Sequence, residues 1–302
     1  MTCPQCASKA LLSFRARDLN LRVTKTYFSY FRCPACGLVF IADAPDDLNR
    51  YYPSKYYVLP DSKLRLGALA AREKFKLDLI SPYRAGCDLL EVGSAWGSFA
   101  YAAKLAGYNV TAVEMDERCC QYLRDVVDVT VYKPDQTGAL PDGLARYDVV
   151  ALWHVIEHLP RFHDVLPQLA ELVRPGGIIA IASPNPDAWQ FQLMRARWRH
   201  IDAPRHLQLI PTRLIIEALA ARGFKVMLAT CNDAGGLGWN RFGWQRLIIN
   251  ALPPSRAATA VGLGAGAALG GALSPLERRR LRGAAYTLIL RKEPSSMSAG
   301  QA

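Results

Sequence analysis

Short apolar runs alternate with amphipathic segments through the middle of the chain. Runs of strand length occupy residues 88–92, 109–114, 129–132, 147–153 and 178–183, and apolar positions at helical spacing occupy 96–106, 117–126, 162–173 and 211–222. Two further strands are expected at 225–230 and 284–291. Strands that alternate with amphipathic helices form parallel sheets covered on both faces. The pattern therefore predicts an α/β fold with a doubly wound, mostly parallel, seven-stranded sheet.

The turn after the first of these strands has the features of a ligand site. The run at 89–100, LLEVGSAWGSFA, predicts a buried strand ending near Glu91, a glycine turn and a helix start, and Glu114 ends the next strand. A glycine turn beside a carboxylate on the neighbouring strand is how doubly wound sheets bind a nucleoside. A pyrophosphate needs a turn crowded with glycines. Because Ala95 and Trp96 occupy this turn, the pattern favours S-adenosylmethionine over a dinucleotide.

A second group of polar residues follows the strand at 147–153. His154, Glu157 and His158 come directly after it, at the edge of the sheet where ligands of open α/β folds bind. On a helical turn, His154 and His158 share one face. A histidine and a carboxylate together can remove a proton from a hydroxyl or an activated carbon.

These motifs resemble those of the class I S-adenosylmethionine-dependent methyltransferases. The run at 89–100 resembles their motif I, VIEHL at 155–159 resembles enzymes of ubiquinone biosynthesis and deoxysugar modification, and LVRPGG…PN at 172–185 resembles their continuation. The resemblance covers about residues 85–230 and implies a Rossmann-like sheet whose last strand is inserted antiparallel. The cofactor-binding positions assigned in this way are Glu91, Gly93, Ala95, Trp96, Gly97, Glu114, Met115, Asp135 and Trp153.

The same resemblance implies acid–base work by Glu157 and His158, with His154 beside them. His206, in a segment similar to the family's P-x-H-L, is a further candidate for substrate contact or a base. In one RNA-methylating group a glutamate stands at the place of His154 and joins the Glu–His pair in holding a metal. By this resemblance His154, Glu157 and His158 form an alternative metal site.

The expected reaction is methyl transfer to a hydroxyl or carbon of a small molecule, such as a sugar, a lipid-linked intermediate or a natural product. The Asn-Pro-Pro-Tyr type of motif, which belongs to enzymes that methylate planar amino groups, does not follow the strand at 147–153. The net charge of +11 leaves RNA methylation as an alternative, in which a zinc ribbon at residues 1–40 would bind the RNA. A binding protein that keeps the fold without turnover is a third interpretation.

The N-terminal residues 1–40 hold two C-x-x-C pairs, Cys3/Cys6 and Cys33/Cys36. Two such pairs present four thiolates to one tetrahedral zinc ion, so the spacing predicts a structural zinc ribbon. Strand-forming residues at 19–25 and 27–32 predict a β-hairpin between the pairs. Paired cysteines of this kind, after a start without a signal-peptide pattern, predict a cytoplasmic protein.

Two other segments complete the expected organisation. Residues 41–84 are expected to be a linker with a capping helix at 68–80, before a methyltransferase domain at 85–302. This domain contains an insertion at 231–283 with an uncharged apolar run at 257–273, in which Gly262, Gly266 and Gly270 recur every four residues. The run predicts peripheral membrane contact through 255–280, or a helical hairpin or dimer contact in which small residues allow close packing.

Overall fold

A computed structural model describes residues 1–54, 56–135 and 139–294. The strands are β1 (Leu11–Arg17), β2 (Tyr27–Arg32), β3 (Val39–Ile41), β4 (Asp88–Val92), β5 (Asn109–Val113), β6 (Thr130–Tyr132), β7 (Tyr147–Trp153), β8 (Val173–Pro184), β9 (Gln208–Leu209), β10 (Phe224–Thr230) and β11 (Ala285–Lys292). The α-helices are α1 (Lys63–Ile80), α2 (Ser98–Leu105), α3 (Glu117–Tyr122), α4 (Phe162–Leu172), α5 (Trp189–Met194), α6 (Thr212–Ala220), α7 (Ala234–Ala251) and α8 (Arg256–Arg278).

The central sheet has seven strands in the order β10-β11-β8-β7-β4-β5-β6. Strands β4 to β8 pair in parallel, whereas β11 lies antiparallel to both β8 and β10. Because each parallel strand is covered on both faces, the strand interiors are continuously apolar. The predicted sheet, with its antiparallel last strand, is confirmed.

The predicted N-terminal hairpin is wrong in its first strand. The partner of β2 is β1, at Leu11–Arg17, and residues 19–25 form the loop between them. The buried carboxylate of Asp18 accepts hydrogen bonds from the backbone of Leu21 (3.0 Å) and Val23 (2.9 Å), which folds the chain back on itself. These local bonds take the place of strand pairing.

A second, four-stranded sheet joins the N-terminal segment to the rest of the chain. Its order is β1-β2-β3-β9, so β3 pairs with a strand that follows β8 by more than twenty residues. The fully buried Tyr30 donates its hydroxyl to the carbonyl of His206 at 2.9 Å. Tyr30 also shares one apolar cluster with Trp198 and Trp244. Helix α1 begins at Lys63, five residues before the expected start, because the Ser62 hydroxyl caps it by accepting from the backbone of Arg65.

The insertion folds as a hairpin of α7 and α8. Gly262, Gly266 and Gly270 are buried against α7, and a Cβ atom at Gly262 or Gly266 would collide with Ile249 or with the backbone of Gln245. By length and composition, the helix from Arg256 to Leu281 is the one candidate membrane span among the described residues, with 22% of its most apolar window buried. Membrane contact through this face stays a prediction.

The glycine row of α8 gives a direct stability test. Gly266→Ala should destabilise the protein by about 1–3 kcal/mol, because the added methyl group meets the α7 backbone. Gly264→Ala is the matched control: this glycine is exposed with open space around its Cβ position, so alanine should stabilise the helix by about 0.5–1 kcal/mol. Urea unfolding of both variants measures the difference, and equal stabilities would contradict the close packing of α7 on α8.

Candidate functional site

The turn between β4 and α2 depends on glycine. Gly93 and Gly97 have φ angles of +74° and +79°, and Ala95 between them has +48°. A Cβ at Gly93 would collide with Val155, and one at Gly97 would lie 2.5 Å from the Leu123 side chain. Both the backbone angle and the lack of space therefore exclude larger residues at Gly93 and Gly97.

Glu114 ties this turn to the end of β5. Its Oε2 accepts a hydrogen bond from the backbone of Ala95 (2.7 Å), and its Oε1 accepts from Met115 and Asp116 (2.8 Å each). Burial raises the pKa of Glu114 above its ordinary value, although the three backbone donors act in the opposite direction. An ionised carboxylate has about four acceptor positions. One position therefore remains for a ligand hydroxyl.

Next to this turn lies a group of buried polar atoms without partners. Glu91 is 4% exposed, and its Oε2 has no hydrogen-bond partner among the described residues. Burial raises the pKa of Glu91 to about 8, even with the Lys76 ammonium nearby. That ammonium lies over the rings of Phe99 and Trp153, 5.6 and 4.9 Å from their centroids. The indole nitrogens of Trp96 and Trp153 are also unpartnered within the described chain. Such orphaned buried atoms fit a site for a polar ligand.

At the end of β7 the chain places a carboxylate among three imidazoles. Glu157 is fully buried and accepts a hydrogen bond from the Ser183 hydroxyl through Oε2 (3.0 Å). Its Oε1 lies 3.6 Å from His154 Nδ1 and 4.0 Å from His206 Nε2. His158, on the same short turn, packs its ring edge-on against His206 at 4.6 Å.

The backbone fixes which nitrogens of two histidines are free. His158 Nδ1 lies 3.0 Å from the carbonyl of Arg205, and His206 Nδ1 lies 2.9 Å from the carbonyl of His200. Because a carbonyl only accepts, these contacts assign the proton to Nδ1 and leave a lone pair on each Nε2. Burial, together with the neighbouring His206, lowers the pKa of His158 to about 4. His158 is therefore neutral near pH 7.

This arrangement can accept a proton or bind a cation. Donor atoms of Glu157, His158 and His206 lie within 4.8 Å of one another. A carboxylate and two imidazoles whose other nitrogens donate to carbonyls form a donor set suited to first-row divalent metals. The sequence-based alternative placed His154 in this set. The structure groups His206 with Glu157 and His158 instead, and the His154 ring stacks on Trp239 of α7 at 4.0 Å.

Three tyrosines that were not predicted from the sequence lie beside these groups. Tyr52 Oη lies 3.0 Å from His158 Nδ1, and the Tyr57 ring meets Trp96 edge-on at 6.1 Å. Tyr56 contacts both of the other tyrosine rings, at 4.9 and 4.8 Å. The segment assigned as a linker thus extends from the glycine turn to the histidines. Its repeated aromatic residues, in a stretch of otherwise loop-forming composition, were the available signal.

Arg205 was also missed, although it adjoins the predicted His206. Its fully buried guanidinium donates to Asp202 through Nε (2.8 Å), to Asp18 through Nη2 (2.8 Å) and to the carbonyl of Tyr51 through Nη1 (3.2 Å). Burial would raise the pKa of Asp202, but Arg205 outweighs this and holds it at about 2. The carbonyl of Arg205 is the one that orients His158.

Two predicted cofactor positions lie at the margin of this site. Met115 is 48% exposed beside Glu114. Asp135 is exposed after β6, and residues 136–138 lie outside the described part of the chain.

The four N-terminal cysteines come together as the spacing predicts. The sulfur atoms of Cys3 and Cys36 are 3.6 Å apart and those of Cys6 and Cys33 are 3.5 Å apart, and all four lie within 4.8 Å of one another. Thiolates at about 2.3 Å from a tetrahedral zinc ion are separated by roughly 3.8 Å. The cluster has the donor type and the spacing of a structural zinc site.

Residues 51–229, more than half of the chain, match the family model described as "Methyltransferase domain". The chain belongs to the methyltransferase domain family. The resemblance inferred from the sequence is thereby confirmed. The matched range begins at Tyr51. It therefore includes the three tyrosines, the glycine turn with Glu114, and the Glu157–His158–His206 set.

Individual relatives of this methyltransferase are distant. The 27-O-demethylrifamycin SV methyltransferase of Amycolatopsis mediterranei is 29% identical over 45% of this chain and 54% of its own. A ubiquinone biosynthesis O-methyltransferase of Dechloromonas aromatica is 26% identical over 52% of this chain and 70% of its own. Ribosomal RNA small subunit methyltransferase A of Novosphingobium aromaticivorans is 39% identical, but over 25% of this chain and 28% of its own. The alignments thus span 54%, 70% and 28% of the lengths of these three relatives.

The buried charges at Arg205 predict a large stability difference within the methyltransferase. Arg205→Met should cost about 3–5 kcal/mol, because it leaves Asp18 and Asp202 buried without their cation. Arg65→Met removes an exposed arginine that pairs with Asp61, and it should cost less than about 1 kcal/mol. Chemical denaturation of both variants checks this. Similar losses in the two would mean that Arg205 does not hold these segments together.

Proposed function

We propose that this methyltransferase transfers a methyl group from S-adenosylmethionine to a hydroxyl group or carbon of a small molecule. The observation that carries the proposal is the position of two unlike groups at the same carboxyl edge of the sheet. The buried carboxylates of Glu91 and Glu114 end β4 and β5, and the Glu157–His158–His206 set follows β7. The two carboxylates form the cofactor half of the site and suit a cationic nucleoside. The Glu157–His158–His206 set forms the acceptor half and suits a methyl acceptor that must lose a proton.

The cofactor half fits S-adenosylmethionine through its own residues. The remaining acceptor position of Glu114 would take a ribose hydroxyl, and the turn at Gly93 and Gly97 allows the backbone to approach the ligand. The unpartnered Oε2 of Glu91 would take the ammonium of the methionine end, and Met115 and Trp96 would flank the base. When bound, the cofactor supplies the electrophilic methyl group.

In the acceptor half, the imidazoles of His158 and His206 would remove the proton. A lone pair on His158 Nε2 or His206 Nε2 can accept it from an acceptor hydroxyl, and Glu157 then stabilises the imidazolium that forms. A divalent cation on the same atoms would instead lower the pKa of that hydroxyl. Trp239, stacked on His154, would form an apolar wall for the acceptor.

The names of the relatives support oxygen as the acceptor atom. Two of them are described as O-methyltransferases or carry an O-methyl position in the name, for a rifamycin and for ubiquinone biosynthesis. The ribosomal RNA relative and the net charge of +11 favour RNA as the second candidate substrate. RNA binding would weaken steeply with added salt.

We further propose that Cys3, Cys6, Cys33 and Cys36 bind a structural zinc ion, which supports the sheet that carries β9. The sulfur distances and the buried positions of three of the four cysteines support this. A cytoplasmic location, with peripheral membrane contact through α8, is proposed from the sequence and the exposed apolar residues Val261 and Leu263.

Cofactor binding and methyl transfer can be tested separately with methyl-labelled S-adenosylmethionine and a fractionated host extract. Glu114→Ala should abolish cofactor binding, whereas Glu117→Ala, an exposed residue three positions away, should not. His158→Ala should keep cofactor binding but lower turnover by about 100- to 10,000-fold, because it removes the proton acceptor. His163→Ala, on α4, is its control.

Label in a small-molecule or lipid fraction supports the proposal, and label in RNA supports the second candidate. Unchanged cofactor affinity in Glu114→Ala would refute the ribose assignment. Wild-type protein that binds no cofactor would indicate a silent scaffold. Loss of turnover on chelation, reversed by a divalent cation while the cysteines keep their zinc ion, would assign a metal to Glu157, His158 and His206.

For the zinc site, metal analysis of the purified protein should find about one zinc ion per chain. Cys33→Ser should lose it, because a tetrahedral site needs all four thiolates. Cys87→Ser is the control, since this cysteine is exposed and remote from the cluster. A wild-type protein purified without bound metal would contradict the zinc assignment.

A further inference from the structure

A separate cavity lies between the loop that follows β1 and the C-terminal end of α7. Its volume is about 730 Å³, and none of its lining residues belongs to the glycine turn or to the histidine set. Five basic side chains line it: Arg17, Arg22, Lys25, Arg197 and Arg199. Its one acidic lining residue, Asp18, is bound to the guanidinium of Arg205. The cavity therefore has a large excess of positive charge.

Arg199 stands out among these residues because it is only 8% exposed. Its Nη1 and Nη2 donate to the side-chain oxygens of Asn20 and Asn250, both at 3.2 Å. Its Nε has no partner among the described residues, and no ion pair of that part of the chain includes it. Burial, together with Arg246 and Arg22, lowers the pKa of Arg199 to about 10. A buried cation bonded only to neutral amides is costly unless an anion joins it.

We propose that this cavity binds a phosphate or diphosphate group carried by the methyl acceptor. The buried guanidinium of Arg199 offers a free N–H, and the exposed Arg22, Lys25 and Arg197 supply further charge around it. Arginine is well suited to phosphate because its planar fork donates several hydrogen bonds at once. The assignment of this anion to the acceptor rests on the proposed methyl transfer.

The cavity is connected to the Glu157–His158–His206 set through the residues next to Arg199. Arg199 directly precedes His200, whose carbonyl accepts from His206 Nδ1 at 2.9 Å. The His200 ring stacks on Trp239 at 4.3 Å, and Trp239 stacks on His154 at 4.0 Å. An acceptor with its phosphate at Arg199 would have to extend past His200 and Trp239 to bring its reacting atom to the histidines. A concave site with a buried arginine fits a single phosphate group better than the continuous backbone of a nucleic acid, which needs an extended basic surface.

The test measures binding of inorganic pyrophosphate to the full chain by calorimetry, with S-adenosylmethionine binding measured on each protein. Arg199→Gln removes the buried donor, and the double variant Arg22→Asn, Lys25→Gln removes exposed charge without touching the core. Asparagine is chosen because Arg22 has a φ of +57°, which asparagine tolerates. Arg146→Gln is the control, since this exposed arginine precedes β7 at the opposite edge of the sheet.

We expect both cavity variants to weaken pyrophosphate binding by about tenfold or more, and the control to leave it unchanged.

Competition by uridine diphosphate would identify a nucleotide-linked acceptor, and capture by vesicles containing phosphatidic acid would identify a lipid phosphate; both support the proposal. Equal affinity in all variants, or no pyrophosphate binding by the wild type, overturns it. A short RNA that displaces pyrophosphate and depends on the same residues overturns the small-molecule assignment. Pyrophosphate binding without cofactor binding refutes the link to methyl transfer and leaves only an anion site.

Discussion

The buried ion cluster of Arg205 with Asp18 and Asp202 stabilises the half of the site that would bind the methyl acceptor. It connects the loop after β1, the backbone at Tyr51 and the segment that leads to β9. A guanidinium removed from water is tolerable only when carboxylates surround it, so these segments are held in one arrangement. Since the Arg205 carbonyl also fixes the tautomer of His158, the same residue sets both the position of these segments and the tautomer of that histidine.

The cofactor half is held in place by backbone geometry and not by a buried ion cluster. There the backbone itself forms the site: two glycines in the left-handed region, a carboxylate that accepts three backbone hydrogen bonds, and strand ends at a common edge. These features are local in sequence and depend little on distant partners. The two halves meet at the tyrosine segment, where Tyr57 touches the turn and Tyr52 touches His158.

This difference explains what could be predicted from the sequence. The seven strands, the glycine turn and Glu114 follow from periodicity and spacing within short windows. The loop at 19–25 could not be foreseen, because the residue that shapes it, Asp18, is held by an arginine 187 positions away. The tyrosine segment has no periodic pattern, and its role appears only when Trp96 and His158 stand on either side of it. His206 was found through the family resemblance, whereas Arg205 beside it carried no local signal.

The pairing of β3 with β9 has a consequence for how the chain is made. During synthesis β1, β2 and β3 leave the ribosome one after another, but Gln208 follows 167 residues after Ile41. At ordinary elongation rates this delay is on the order of 10–30 s. Throughout that interval the outer edge of β3 has no strand to pair with, and an open edge invites pairing with other chains. The order in which the elements are translated thus makes the N-terminal sheet a point where folding and aggregation compete.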